Sequence, residues 1–259
     1  MTTPRVPVSA EQLTSGQIEL AGEKAHYLCQ VLRLKPGARF FVFTKEGQEA
    51  EAEITRVGYR RVVAKVLGPA TSSDADPRHP VCVVLAVLKG SAMDWAVQKL
   101  AEVGAWTIIP MISQRVVVRA EDWQAKVERW QQIASEAARR SGRCRGPEVV
   151  PVVPISRIGA VIADASKDRW LLLDPDAQDA ASVPETLSGA SSAGLIIGPE
   201  GDLTDEEKKV LVETGTRPVY LGPRVLRAET AAVVACALAL YALGDLGPAR
   251  ISSRASSQK

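Results

Sequence analysis

Leu221-Gly222-Pro223-Arg224-Val225-Leu226-Arg227-Ala228-Glu229-Thr230-Ala231 joins a short apolar strand, Val219 to Leu221, to the long apolar stretch Ala231 to Leu243. Arg227 and Glu229 sit where that stretch begins, and the polar Glu229-Thr230 pair is expected to cap the first turn of a helix. The backbone N–H groups left open there would face whatever occupies the loop. An upstream segment has the same build: a strand from Gly194 to Ile197, the loop Gly198-Pro199-Glu200-Gly201-Asp202, and the acidic helix start Thr204-Asp205-Glu206-Glu207. Two such joints place two loops side by side at the carboxyl ends of parallel strands, where open α/β sheets bind ligands. The C-terminal third therefore reads as a cofactor site.

Working outward, the preceding chain alternates strands and helices. Val81 to Leu88 is a continuous apolar run, as in a parallel strand buried on both faces. Met93 to Val103 reads as a helix ending at Gly104, and Trp106 to Met111 as the next strand. Glu121 to Arg140 forms a long helix, Val149 to Val153 a strand, Ile155 to Ala165 a helix, and Trp170 to Leu173 a strand ending at Asp174-Pro175. Upstream, the polar, proline-bearing segment Thr71 to Pro80 marks a domain boundary. Before it, Arg39 to Phe43, Ala50 to Ile54 and Arg60 to Leu67 read as strands, and Glu23 to Leu32 as a helix with Leu34-Lys35-Pro36-Gly37 as its exit turn. Short strands around one helix suggest a small barrel. The expected division is a β-barrel domain over 1–72, an α/β domain over 73–247, and a disordered tail over 248–259.

Composition narrows the classes. With 259 residues, 46% hydrophobic and 24% charged, the chain has the make-up of a globular protein able to bury one or two cores. A net charge of +2 means that any nucleic-acid surface must be a local patch. The four cysteines, Cys29, Cys82, Cys144 and Cys236, form no C-x-x-C pair, so reduced, mostly buried thiols are expected and no metal site. Met1 to Ala10 lacks an apolar h-region, and Ala231 to Leu243 is too short to span a bilayer, so a cytoplasmic location without a membrane partner is expected. A nicotinamide dehydrogenase or a P-loop enzyme fits poorly. No G-x-G-x-x-G follows the first strand, no Walker A motif is present, and the glycine loops come late.

The two loop segments, Leu195-Ile196-Ile197-Gly198-Pro199-Glu200-Gly201 and Leu221 to Ala231, resemble the signature pair of the bacterial small-subunit (16S) ribosomal RNA uridine-N3 methyltransferases of the SPOUT superfamily. His26-Tyr27-Leu28 with Val31-Leu32-Arg33-Leu34-Lys35-Pro36-Gly37 is similar to that family's N-terminal barrel motif. Gln98 to Gly104 and Glu136 to Arg143 are similar to two of its helices. The sequence departs from the pattern at Asp202, where glycine is usual, at Ser91-Ala92, which replace a charged pair, and at Arg139-Arg140, which replace Glu-Gln. The resemblance implies an S-adenosylmethionine-dependent enzyme, a PUA-like barrel, an α/β domain whose chain passes through a trefoil knot, and a homodimer. Periodicity and spacing give no sign of a knot.

In such a fold the cofactor would lie among three loops. Here its residues would be Leu172 and Leu173, then Gly198, Pro199, Glu200 and Gly201, then Leu221, Gly222, Leu226, Arg227, Thr230 and Ala231. Uridine N3 carries an imide proton and is a poor nucleophile until that proton leaves. A nearby cation stabilises the uridinate, and a carboxylate or water accepts the proton. Arg227 is the candidate cation, with Glu229 as base or as the group orienting Arg227, and Glu200 as a third candidate. The plainer alternative is a structural Arg227–Glu229 ion pair, with Glu200 capping the next helix. His26, Arg33, Lys35, Arg139, Arg140 and Arg143 are the candidate RNA contacts. A ribose 2′-O-methyltransferase and a non-catalytic RNA-binding assembly protein are the competing functions.

Overall fold

In the computed structural model, residues 3–73, 75–118, 122–165 and 167–247 are described. The segment 248–259, expected to be a disordered tail, lies outside the described residues. By compactness the chain forms two units, residues 1–76 with 128–148, and residues 77–127 with 149–259. The segment 128–148, expected within the α/β domain, thus clusters with the first unit.

The first unit contains β1 (Arg5–Pro7), α1 (Ala10–Ser15), β2 (Gln17–Ala21), α2 (Gly22–His26), β3 (Arg39–Phe43), β4 (Gln48–Gly58), β5 (Arg61–Val66) and β6 (Thr71–Ser72). Its six-stranded sheet runs β1-β3-β4-β5-β2, with β6 on β4. Burial alternates along these strands. Ile18 and Leu20 of β2, Ala50, Ala52 and Ile54 of β4, and Val62 and Ala64 of β5 enter the core around Phe40 and Leu28. The helix expected over Glu23 to Leu32 starts as α2 and continues as a π-helical turn over Tyr27–Val31, where Leu32 N–H donates to Tyr27 O.

The second unit contains β7 (Val81–Ala86), α3 (Ala92–Val103) and β8 (Thr107–Ile112), followed by α4 (Trp123–Arg140), whose later residues belong to the first unit. It continues with β9 (Glu148–Val149), whose first residue falls in the first unit, β10 (Val153–Pro154), α5 (Ile158–Asp164), β11 (Arg169–Leu173), α6 (Val183–Thr186), β12 (Ala193–Ile197), α7 (Asp205–Glu213), β13 (Arg217–Val219) and α8 (Ala228–Leu243). The single strand expected over Val149 to Val153 is broken into β9 and β10 around Pro151, which cannot donate to a ladder.

The sheet order is β10-β8-β7-β12-β11-β13, with β9 on β8, and the paired strands along that path are parallel. Every residue of β7 and β12 is buried, which explains their unbroken apolar runs. Gly194 of β12 has no room for a side chain, because a Cβ there would lie 2.2 Å from the Trp170 ring. Helix α8 packs on α3, β12 and β7 through small residues such as Ala232, Ala235, Cys236 and Ala239. Helix α7 opens with a capping box, in which Thr204 Oγ1 accepts from Glu207 N–H and Glu207 accepts from Thr204 N–H. Such a cap is worth about 1 kcal/mol. Among the described residues no helix is long and apolar enough to cross a membrane.

Candidate functional site

Three strands end together at one edge of the parallel sheet. Leu172 pairs with Ile196, and Leu173 with Val219, so β12, β11 and β13 finish nearly level. The two joints singled out in the sequence are not neighbours, because β11 lies between them. Strand order is not encoded in local pattern, and the intervening strand contributes the third loop, at Asp174-Pro175.

The loops enclose a cavity of about 520 Å³, within the usual range for small-molecule sites. Leu173, Ile197, Val219, Leu221 and Leu226 form its apolar wall, with Gly198, Pro199, Gly222 and Ala231 beside them. Lys89, Asp174, Glu200, Asp202, Arg227 and Glu229 supply charge. Three expected residues do not line it. Leu172 is fully buried within β11, Thr230 sits in the first turn of α8, and Gly201 carries a carbonyl that accepts from Arg115 Nη1 at 2.8 Å. Lys89, Ala92, Asp174, Pro175, Ile197, Asp202, Val219 and Tyr220 line the cavity without having been singled out as site residues. Applying the strand-end rule to β7 would have found Lys89, and carrying the β11 loop past Leu173 would have found Asp174 and Pro175.

Local chemistry sets the loop shapes. Gly222 has φ +107°, a conformation that L side chains rarely adopt, and a Cβ there would meet nothing within 4 Å. Its glycine therefore answers to backbone conformation rather than crowding. Glu200 Oε1 accepts from Lys89 N–H at 2.9 Å and so joins the β12 exit to the β7 exit. It does not cap the following helix, since Thr204 does that. Asp202 has φ +60° and its carboxylate meets the Lys208 ammonium at 2.7 Å.

Helix α8 begins at Ala228 with Arg227 as its N-cap and no side-chain capping bond. The expected Glu229-Thr230 cap is therefore absent, and Glu229 instead lies inside the first turn, where its charge favours the helix dipole. Arg227 Nη1 is 4.0 Å from Glu229 Oε1. The arginine side chain is 87% exposed and the glutamate 14%. Both residues line the cavity, the cation reaching solvent and the carboxylate shielded from it.

Three carboxylates, Asp174, Asp176 and Asp202, come within 4.8 Å of one another. The Lys208 ammonium occupies that cluster, at 2.7 Å from Asp174, 3.1 Å from Asp176 and 2.7 Å from Asp202.

In the first unit His26, Arg33 and Lys35 are exposed. Arg139 and Arg140 project from the end of α4, with Glu136 at 4.0 and 2.5 Å. Arg143 departs from expectation. Its side chain is 2% exposed and its Nε lies 3.6 Å from Asp76, so it is an interior cation and does not offer its guanidinium to a phosphate. Cys82 and Cys144 are also buried, and desolvation pushes their thiols up to about 12 and about 11.

Comparison with known proteins places these features among methyltransferases. An RNA methyltransferase domain model matches residues 75–240, and an RNA methyltransferase PUA domain model matches residues 20–67. Ribosomal RNA small subunit methyltransferase E of Bacillus subtilis is 31% identical over 242 residues, covering 89% of this chain and 94% of that protein. The protein of the same name from Synechocystis is 31% identical over 236 residues, covering 90% and 76%. The crystal structure of a ribosomal RNA small subunit methyltransferase E from Neisseria gonorrhoeae, bound to S-adenosyl methionine, superposes with a TM-score of 0.77 at 27% identity, covering 91% and 96%. A putative methyltransferase from Legionella pneumophila with bound cofactor SAM gives 0.77 at 28% identity, covering 93% and 98%.

Proposed function

The chain belongs to the RNA methyltransferase family, and from that premise we propose that it transfers a methyl group from S-adenosylmethionine to N3 of a uridine in 16S ribosomal RNA of the small subunit. The observation that carries this reading is the cavity at the ends of β12, β11 and β13, walled by apolar side chains and guarded by Arg227 and Glu229. Its volume and mixed lining suit a nucleoside with a charged tail. Leu173, Ile197, Val219 and Leu226 would exclude water around the adenosine, and loop main-chain groups would read the base edge.

When bound, the cofactor supplies a methyl group on a sulfonium centre as the electrophile. The chain's residues then have to orient and deprotonate the uridine. Arg227, extended into solvent, meets the incoming base and stabilises the N3 anion. Glu229, shielded and 4.0 Å from Arg227, orients the guanidinium or accepts the imide proton. Glu200 is the weaker candidate, because its carboxylate already holds the Lys89 N–H.

RNA docking would fall to the domain over 1–72 and catalysis to that over 73–247. His26, Arg33 and Lys35 would contact RNA in the first. Arg139 and Arg140, which cluster compactly with the first unit, would add phosphate contacts. The trefoil passage belongs to the proposal as well. Its support is that β13 lies beyond β11, whereas α8, which follows it, returns to β12 and β7. A homodimer is supported by the exposed Trp95 of α3 and Tyr241 of α8, carried on two helices packed on each other. The location would be cytoplasmic.

Calorimetric titration with S-adenosylmethionine tests the reading. Saturable binding by the parent protein is expected. Well-folded protein that binds none would overturn the enzyme assignment in favour of a non-catalytic RNA-binding role.

A further inference from the structure

Lys208 stands one turn into α7 and points out of the helix into the cluster of Asp174, Asp176 and Asp202. Two of these contacts join different parts of the cavity wall. Asp174 closes the exit of β11, and Asp202 closes the turn after β12, where its N–H donates to Pro199 O at 2.9 Å. Both aspartates line the cavity, and Lys208 itself does not. The ammonium is 2.7 Å from each, and its side chain is only 12% exposed. Asp174 N–H also donates to Val219 O at 3.1 Å, so the same residue reaches the β13 exit.

The pairing accounts for a feature that was otherwise only a departure. Asp202 holds φ +60°, where glycine is the usual occupant. Aspartate tolerates that region better than most residues but at some cost. The residue gains a charge-assisted hydrogen bond from an ammonium that is largely shielded from water. The lysine's proton is held above its ordinary range. Burial pulls downward, but the hydrogen bonds that the ammonium donates to Asp174, Asp202 and Asp176 outweigh it. The ammonium therefore holds its proton more firmly than a free lysine does.

We propose that Lys208 is a positioning residue of the cofactor cavity, its ammonium tying the β12 exit through Asp202 to the β11 exit through Asp174 and so setting the gap in which the cofactor lies. This rests on the reading of the cavity as the S-adenosylmethionine site. Asp176 is 81% exposed, and its contact is the dispensable one.

The test is steady-state methyl transfer and calorimetric titration with S-adenosylmethionine on four proteins: the parent, Lys208→Met, Asp202→Asn and the double variant. Asparagine tolerates the left-handed backbone and preserves shape, so Asp202→Asn remains informative should the lysine variant fold poorly. Each single variant is expected to raise the Kd and KM for the cofactor about tenfold, with the loss falling on KM rather than kcat. Because both remove one tie, the double variant should resemble the singles, whereas independent effects would multiply to about a hundredfold. Single variants that bind the cofactor as the parent does would overturn the positioning role and leave the methyltransferase reading intact. So would a lowered melting temperature with unchanged KM. A parent that binds no cofactor would overturn both.

Discussion

Replacing Arg227 with alanine separates chemistry from architecture. The side chain is 87% exposed, and its ion pair with Glu229 spans 4.0 Å. An exposed pair of that geometry contributes about 0.5 kcal/mol or less. For a chain of this size that corresponds to a fall in Tm of about 2 °C at most. If the guanidinium stabilises the uridine anion, its loss instead removes a donor aimed at developing charge, which costs about 10²–10³ in rate, or roughly 2.7–4 kcal/mol of transition-state stabilisation. The two magnitudes differ enough to be told apart in one protein preparation. Single-turnover transfer of labelled methyl to small-subunit RNA should fall by that factor, with Tm nearly unchanged. Added guanidinium should restore part of the rate. A variant that transfers methyl at the parental rate, or loses activity only in proportion to a large drop in Tm, refutes the assignment of Arg227 to the chemistry.

Other substitutions probe the remaining elements. Arg143→Ala leaves Asp76 without its buried partner. It should cost about 3 kcal/mol or more, read as a fall in Tm on the order of 10 °C. By contrast, Arg140→Ala should leave Tm alone and reduce the salt dependence of RNA binding by about one phosphate contact. Gly194→Ala sets a Cβ 2.2 Å from the Trp170 ring. Denaturant titration should show a loss of about 1–3 kcal/mol as the indole is displaced. The Cys82 thiol keeps its proton up to about 12 in the fold, against 9.0 for the free group. The unfolded chain therefore loses that proton first, and the thiol's contribution to stability is whole below pH 9 and fades between 9 and about 12. Urea titrations of the parent and Cys82→Ala across that interval should converge as the pH rises.

The elements most legible in the sequence were those with local signals. The apolar runs of β7 and β12 are unbroken because both faces are covered, and the two glycine loops announce themselves by following strands. Order across the sheet carries no such signal, so the seating of β11 between β12 and β13 emerged only in three dimensions. Long-range side-chain pairing is equally silent. Lys208 and Asp174 lie 34 positions apart, and no periodicity joins them. Arg143 shows the opposite hazard. In sequence it continues the basic run of Arg139 and Arg140, but the chain turns at Gly142, with φ +88°, and sends it inward. The Glu229-Thr230 cap was misplaced by two residues because backbone geometry alone, with Arg227 at the N-cap, starts α8.

The most direct test of the account is nucleoside mass spectrometry of small-subunit ribosomal RNA after incubation with the protein and labelled S-adenosylmethionine. The expected result is label in N3-methyluridine, formed about 10²–10³ times more slowly with Arg227→Ala. Label on a ribose 2′-oxygen, or no label from protein that binds the cofactor, would contradict it.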